Sequence, residues 1–213
     1  MYENPSLAGL GTHDELRRHR LESGDLAPEI IGGINLDEGT ADSGIPLGFV
    51  VRPGSPWRRA LWSQHLTEGQ ASDRSYPPCH RWFPHRSWPV AVQPPPEGSL
   101  DEESLDALLD TLSRWSVDGP ETNCVAFYAS LPAGNFDNPH VWRGPLSAVP
   151  ELLEERGGPY PFSPTNLWPT DRSWFIWTDF DLLGTKVSGS EQLVEAIKSH
   201  PALETVEWPA QPR

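Results

Sequence analysis

The sequence predicts an α+β fold, because from residue 122 onward strand-like segments alternate with helix-like segments. The strand-like segments are short, rich in aromatic and β-branched residues, and bounded by Gly, Pro, Asp or Ser. The helix-like segments repeat apolar residues at a spacing near 3.6. Their order is strand, helix, strand, strand, helix, strand, which is the order of a ferredoxin-like (βαββαβ) module.

The predicted strands are Asn123–Ala129, Ser173–Asp179, Thr185–Ser188 and Leu203–Trp208. One predicted helix covers Leu146–Arg156, and the second begins after Ser190, a typical N-cap residue. Such a module buries one face of its sheet under two helices and leaves the other face open. Since these strands carry tryptophan, we expect aromatic side chains on the open face, where they would need a partner or a cover.

Two further regions precede this module. Residues 1–44 are rich in glycine and acidic residues, so we predict a weakly structured, flexible N-terminal arm. Within it, a short helix is predicted over Thr12–Leu21, beginning with a capping box. Residues 45–118 predict a strand–helix region that packs on the module and extends it. Its clearest helix follows Ser99, the expected N-cap, and carries a leucine stripe. Residues 119–213 form the α+β sandwich module.

The composition restricts the possible partners. The formal net charge is −14, from 16 Lys and Arg and 30 Asp and Glu. A phosphate backbone needs clustered basic residues, so the charge argues against nucleic acid. It permits a basic protein partner, or one that normally binds nucleic acid, and the alternative is that the acidity only gives solubility. No apolar run is long enough to cross a bilayer, and the start of the chain does not resemble a secretion signal. With only two cysteines, we expect a cytoplasmic protein with reduced thiols and no membrane partner.

The densest group of distinctive residues lies between Asn166 and Asp181. The candidate binding residues there are Trp168, Arg172, Trp174, Trp177, Asp179 and Asp181, and His140 and Arg143 are added from a preceding loop. Two carboxylates so close could bind a divalent cation, but no further ligand set follows, so we interpret them as turn residues. We predict no metal and no cofactor. A zinc site at Cys79, His80 and His85 stays an open alternative, because Cys and His are good zinc ligands. A fourth ligand is not evident.

One sequence pattern resembles uncharacterised actinobacterial proteins. It comprises Asn166, Leu167, Trp168 and Pro169, then Asp171, Arg172, Ser173 and Trp174, followed by Thr178, Asp179, Asp181, Thr185, Val187, Gly189, Ser190, Leu203 and Glu204. The resemblance covers about a fifth of the chain. It implies a source class and no activity. The small, acidic character of the chain is also similar to that of immunity proteins in bacterial toxin systems.

Three hypotheses for function follow. We favour a non-enzymatic protein-binding protein that uses tryptophans and negative charge, such as an immunity-type protein that neutralises a basic toxin. The alternative is an enzyme or small-ligand-binding protein with a pocket between the C-terminal module and the middle region, built from His140, Arg143, Arg172 and Asp179. The sequence contains none of the common hydrolase, metalloprotease, nucleotide-binding or kinase motifs. The third is a structural protein whose arm carries an interaction signal.

Overall fold

The computed structural model describes residues 1–23, 34–35, 40–41, 47–65, 79 and 83–206 of the chain. It confirms the α+β class. The chain forms two compact units: unit 1 comprises 1–46 and 53–95, and unit 2 comprises 47–52 and 96–213. The predicted middle region is therefore divided, because 47–52 and 96–118 belong to the same unit as the C-terminal module. Within the described ranges, no helix combines the length and the apolar character needed to span a membrane.

In its described residues, unit 1 contains small antiparallel sheets and one α-helix. Its elements are β1 (Tyr2–Glu3), α1 (His13–Ser23), β2 (Ile34–Asn35), β3 (Thr40–Ala41), β4 (Arg58–Arg59) and β5 (Val92–Gln93). Strands β4, β1 and β5 form one sheet with β1 in the centre, and β2 pairs with β3. Aromatic rings fill the interior beside Trp88, which lies 5.0 Å from Phe83 and 5.3 Å from Trp62 between ring centroids.

The first residues of the chain are part of this unit, contrary to their interpretation as a flexible arm. Met1 and Tyr2 are buried, because Tyr2 lies in the central strand and pairs with both Arg59 and Gln93. The capping box is confirmed. The Thr12 N–H donates to the Glu15 carboxylate (2.8 Å) and the Glu15 N–H donates to Thr12 Oγ1 (3.3 Å). The remainder of the predicted arm lies largely outside the described residues.

Unit 2 is a five-stranded sheet with helices packed on one face. Its strands are β6 (Asn123–Tyr128), β7 (His140–Pro145), β8 (Asn166–Pro169), β9 (Phe175–Thr178) and β10 (Thr185–Ser188). Its α-helices are α2 (Glu102–Arg114) and α3 (Glu191–Lys198). The strand order is β10-β9-β8-β6-β7, and every neighbouring pair is antiparallel.

The ferredoxin-like order is not confirmed. That fold needs the first predicted strand to lie beside the third, whereas β8 separates β6 from β9 and β10. The positions beside β6 are occupied by β7 and β8, which are not among the predicted strands. At the other end of the module, Leu203–Val206 forms no strand, and residues 207 and 208 lie outside the described residues.

Two local predictions also need correction. The segment predicted as one α-helix forms two 3₁₀ turns, Leu146–Leu152 and Glu154–Arg156, because Pro150 cannot donate an intrahelical hydrogen bond. Helix α2 begins after Asp101 instead of Ser99, since the Ser104 N–H donates to Asp101 Oδ1 at 2.9 Å. Ser99 is instead buried and hydrogen-bonded to Ser163 Oγ at 2.9 Å. The cap predicted at Ser190 is confirmed.

The core of unit 2 lies between one face of the sheet and helices α2 and α3. The sheet contributes the alternate residues of its strands, among them Cys124, Ala126, Tyr128, Leu167 and Ile176. The helices contribute their apolar stripes, and Leu112 and Leu193 are almost completely buried. Because successive side chains of a strand point to opposite faces, this core also determines which residues lie on the other side of the sheet.

Candidate binding face

The open face is the side of the five-stranded sheet opposite the core. Strand register places its residues in two rows across the strands from β10 to β7. The first row is Lys186, Trp177, Asn166, Phe127 and Val141. The second row is Ser188, Phe175, Trp168, Val125 and Arg143. None of these residues is a member of the core cluster.

Three aromatic side chains form the centre of this face, and we call them the aromatic patch: Trp168, Phe175 and Trp177. The rings of Trp168 and Phe175 lie 5.9 Å apart between centroids and are tilted by 30°. Phe175 is 42% exposed, and both tryptophans are half-buried. Large aromatic side chains that remain partly exposed in a sheet can serve as anchors for a partner.

Trp174, predicted as a binding residue, belongs to the core. It precedes β9, and its side chain is only 2% exposed. Its indole N–H donates to Ser116 Oγ at 2.9 Å, and the Ser116 hydroxyl donates to the Leu112 carbonyl at 2.8 Å. A buried indole needs such an acceptor, so Trp174 stabilises the fold and cannot contact a partner.

The two candidates from β7 lie on opposite faces. Arg143 pairs with Val125 and lies on the open face, where its side chain is exposed. His140 pairs with Tyr128 and lies on the core side of the sheet at its edge. There the His140 Nδ1 is 3.3 Å from the hydroxyl of Tyr160, whose ring stacks on Tyr128 at 3.7 Å. His140 and Arg143, both named for the pocket of the alternative hypothesis, therefore do not face each other.

The remaining candidates lie in turns at opposite ends of β9. Arg172 is in the turn before β9, with a positive φ of 57°. Asp179 is in the turn after β9, and its Oδ1 accepts the N–H of Asp181 at 3.1 Å. This bond supports the interpretation of these acids as turn residues. Since His140, Arg143, Arg172 and Asp179 are separated, they do not form one catalytic or ligand-binding site.

Cys124 is a buried thiol on the core side of β6. Burial, assisted by the nearby charge of Asp171, raises the pKa of Cys124 to about 12. The thiol therefore stays protonated at neutral pH, and its Sγ contacts the Thr122 carbonyl at 3.3 Å. Within the described part of the chain, no three His, Cys, Asp or Glu residues are grouped as metal ligands. Of the zinc candidates, His80 lies outside the described residues.

Unit 1 has a cleft of about 560 Å³ between β1, β4, β5 and the loops that follow β1 and precede α1. Its most distinctive group is the carboxylate of Glu3. The Arg58 guanidinium lies 2.6 Å from this carboxylate and the His65 imidazole lies 3.1 Å from it. The carboxylate thus already has partners inside the unit, which makes the cleft a weaker candidate than the open face.

The comparisons with known proteins add no relative, since no family model, no curated protein and no solved structure matches the chain. The resemblance to actinobacterial proteins stays a prediction. Sequence reasoning identified Trp168 and Trp177 but missed Phe175, although Phe175 and Trp177 are two residues apart on one strand. That spacing is the signal that could have placed them together on one face.

Proposed function

We propose that this chain is a non-enzymatic protein-binding protein, and that the open face of unit 2 is its docking surface. The observation that carries the proposal is the aromatic patch: Trp168, Phe175 and Trp177 lie together on the side of the sheet away from the core. Aromatic residues clustered on one surface contribute a large share of the binding energy in protein complexes. A partner that covered these rings would remove apolar area from water.

The arrangement of the patch also supports a protein partner over a small ligand. The patch is spread across neighbouring strands, and the half-buried Phe127 and the exposed Val141 continue the apolar surface toward β7, whereas Val125 is buried. Small-molecule sites are usually concave and enclose most of their ligand. An extended sheet face is better suited to another protein surface or to an extended peptide. The immunity-type role stays a prediction of the sequence.

The test compares capture of partners by the wild-type protein and by two variants, Trp168→Ala and Trp177→Ala. Immobilised protein is exposed to lysate of the source cells, and each protein that is retained by the wild type and lost with both variants is purified and titrated by calorimetry. We expect each substitution to weaken binding about 30-fold or more, because hot-spot truncations cost at least about 2 kcal/mol.

Trp115→Ala is the matched control. Trp115 is 47% exposed at the C-terminal end of α2, away from the strands of the open face. This variant should bind like the wild type, and circular dichroism should show that all three variants are folded. The proposal is wrong if partner binding is lost equally with Trp115→Ala, or if the purified partner binds the patch variants as tightly as the wild type.

A further inference from the structure

The charge of the open face differs from the charge of the whole chain. The chain carries a formal net charge of −14. Among the strand positions of the open face, however, the charged residues are Arg143 and Lys186, and no Asp or Glu is among them. Asp171, Asp179 and Asp181 lie in the turns before and after β9. The strand positions of the docking surface therefore carry basic and no acidic side chains, although the protein is acidic.

Arg143 is the more informative of the two cations. It is exposed on edge strand β7, and within the described ranges it forms no ion pair. Lys186 already makes an interaction within the chain. Arg143 lies in the same row as Trp168, with Val125 between them. A guanidinium next to an apolar surface is well suited to pair with a carboxylate.

We propose that the partner segment that docks on the open face is acidic, with a carboxylate placed to pair with Arg143 beside an apolar anchor on the aromatic patch. This inference rests on the proposed function, because it names the chemistry of the partner at the same surface. It replaces the expectation of a basic partner, which depended on the charge of the whole chain. Complementary local charge contributes to specificity and to the association rate.

The strand spacing gives the geometry of such a segment. Arg143 and Trp168 lie on β7 and β8, which are separated by β6. Two strand spacings amount to about 10 Å, and an extended peptide advances about 3.3 Å per residue. Because only alternate side chains of an extended peptide face the sheet, the carboxylate would lie two or four residues from the side chain that contacts Trp168, and these advances of about 7 and 13 Å bracket the distance.

The probes are three synthetic twelve-residue peptides with Leu and Phe anchors. The acidic peptide has Glu two and four residues before and after each anchor, and the other two have Gln or Lys at those positions. Each is titrated into ¹⁵N-labelled protein while the indole signals of Trp168 and Trp177 are followed by NMR. A thymidine oligonucleotide of the same length is a fourth probe, because aromatic rings next to a basic residue can also bind single-stranded nucleic acid.

We expect the acidic peptide to shift both indole signals and to bind more tightly than the Gln and Lys peptides. Arg143→Ala should weaken its binding about fivefold and Arg143→Glu about tenfold or more, as an exposed pair at a binding surface allows. Added salt should reduce the difference between the acidic and Gln peptides. Arg114→Ala is the matched control, because Arg114 is an exposed arginine on α2 and pairs with Asp110 at 2.6 Å.

Equal or tighter binding of the Gln or Lys peptide at the two indoles overturns the acidic partner while leaving the docking face intact. Tighter binding of the oligonucleotide at the same indoles overturns it as well. If no peptide shifts these indoles, and the purified partner binds Trp168→Ala and Trp177→Ala as tightly as the wild type, the proposed function is contradicted too. Unchanged affinity of the acidic peptide for folded Arg143→Glu would contradict the assigned role of Arg143.

Discussion

Neighbouring tryptophans of unit 2 have different roles because of small differences in position. Trp174 and Trp177 are three residues apart, so in extended chain their side chains point to opposite faces. Trp174 is enclosed by the core, whereas Trp177 lies on the open face. The sequence could identify both as distinctive, but it could not assign the faces, since the same residue type occurs on both sides of the sheet.

The buried indole of Trp174 depends on one hydroxyl. We expect Ser116→Ala to lower the free energy of unfolding by about 1–3 kcal/mol, because it leaves a buried N–H donor without its acceptor. Urea denaturation followed by fluorescence measures this change. Ser147→Ala, at an exposed site, is the control and should change stability by less than about 0.5 kcal/mol. An equal effect of the two substitutions would contradict the role of the Ser116 hydroxyl.

At the scale of elements, the turn between β9 and β10 packs against the segment before α2. The Gly98 N–H donates to the Leu182 carbonyl at 3.0 Å, and Gly98 has a positive φ of 72°. A Cβ at this position would lie 2.7 Å from the Phe180 Cα, so the close approach requires glycine. This contact brings Glu97 close to Asp181, and partial burial together with the Asp181 charge raises the pKa of Glu97.

The raised pKa predicts that Glu97 reduces stability at neutral pH. In the unfolded chain this carboxyl loses its proton at a lower pH than in the folded protein, so folding stability decreases as pH rises through that interval. We expect Glu97→Gln to raise the melting temperature at pH 7 by no more than about 2 °C, since the group is only partly buried. The gain should shrink as the pH is lowered into the range where Glu97 is protonated in the folded protein.

Differential scanning calorimetry between pH 4 and pH 7 measures this difference. Glu151→Gln is the control, because it makes the same change at an exposed site. A lower melting temperature for Glu97→Gln at pH 7, or a gain that grows as the pH falls, would show that Asp181 and burial do not set the behaviour of this carboxyl.

Elements with strong local signals could be predicted, and those defined by pairing could not. Helix α3 has a serine cap and a short apolar stripe, and strand β6 is a run of apolar residues, so both were found close to their observed positions. Strand β7 contains His140, Gly144 and Pro145, which are poor local indicators of a strand. It forms because it pairs with β6 over its whole length. Such tertiary pairing determines the strand order, which local patterns do not contain.

At the scale of the whole molecule, the chain is an acidic α+β protein whose second unit has an aromatic face with the exposed Arg143 on its edge strand. The α+β class and the open face with tryptophan were predicted from the sequence. The strand order was not, and neither was the burial of Met1 and Tyr2 inside unit 1. Net charge could be calculated from composition, but the local charge of the open face depends on register and therefore requires the structure.

The most direct test of the docking face is the solvent accessibility of individual tryptophans. The protein is labelled with 5-fluorotryptophan, its ¹⁹F signals are assigned by single Trp→Phe substitutions, and a soluble paramagnetic agent is added. We predict that the signals of Trp168 and Trp177 broaden clearly, whereas the signal of Trp174 is nearly unaffected. Protection of Trp168 and Trp177 equal to that of Trp174 would contradict the claim that this face is available to a partner.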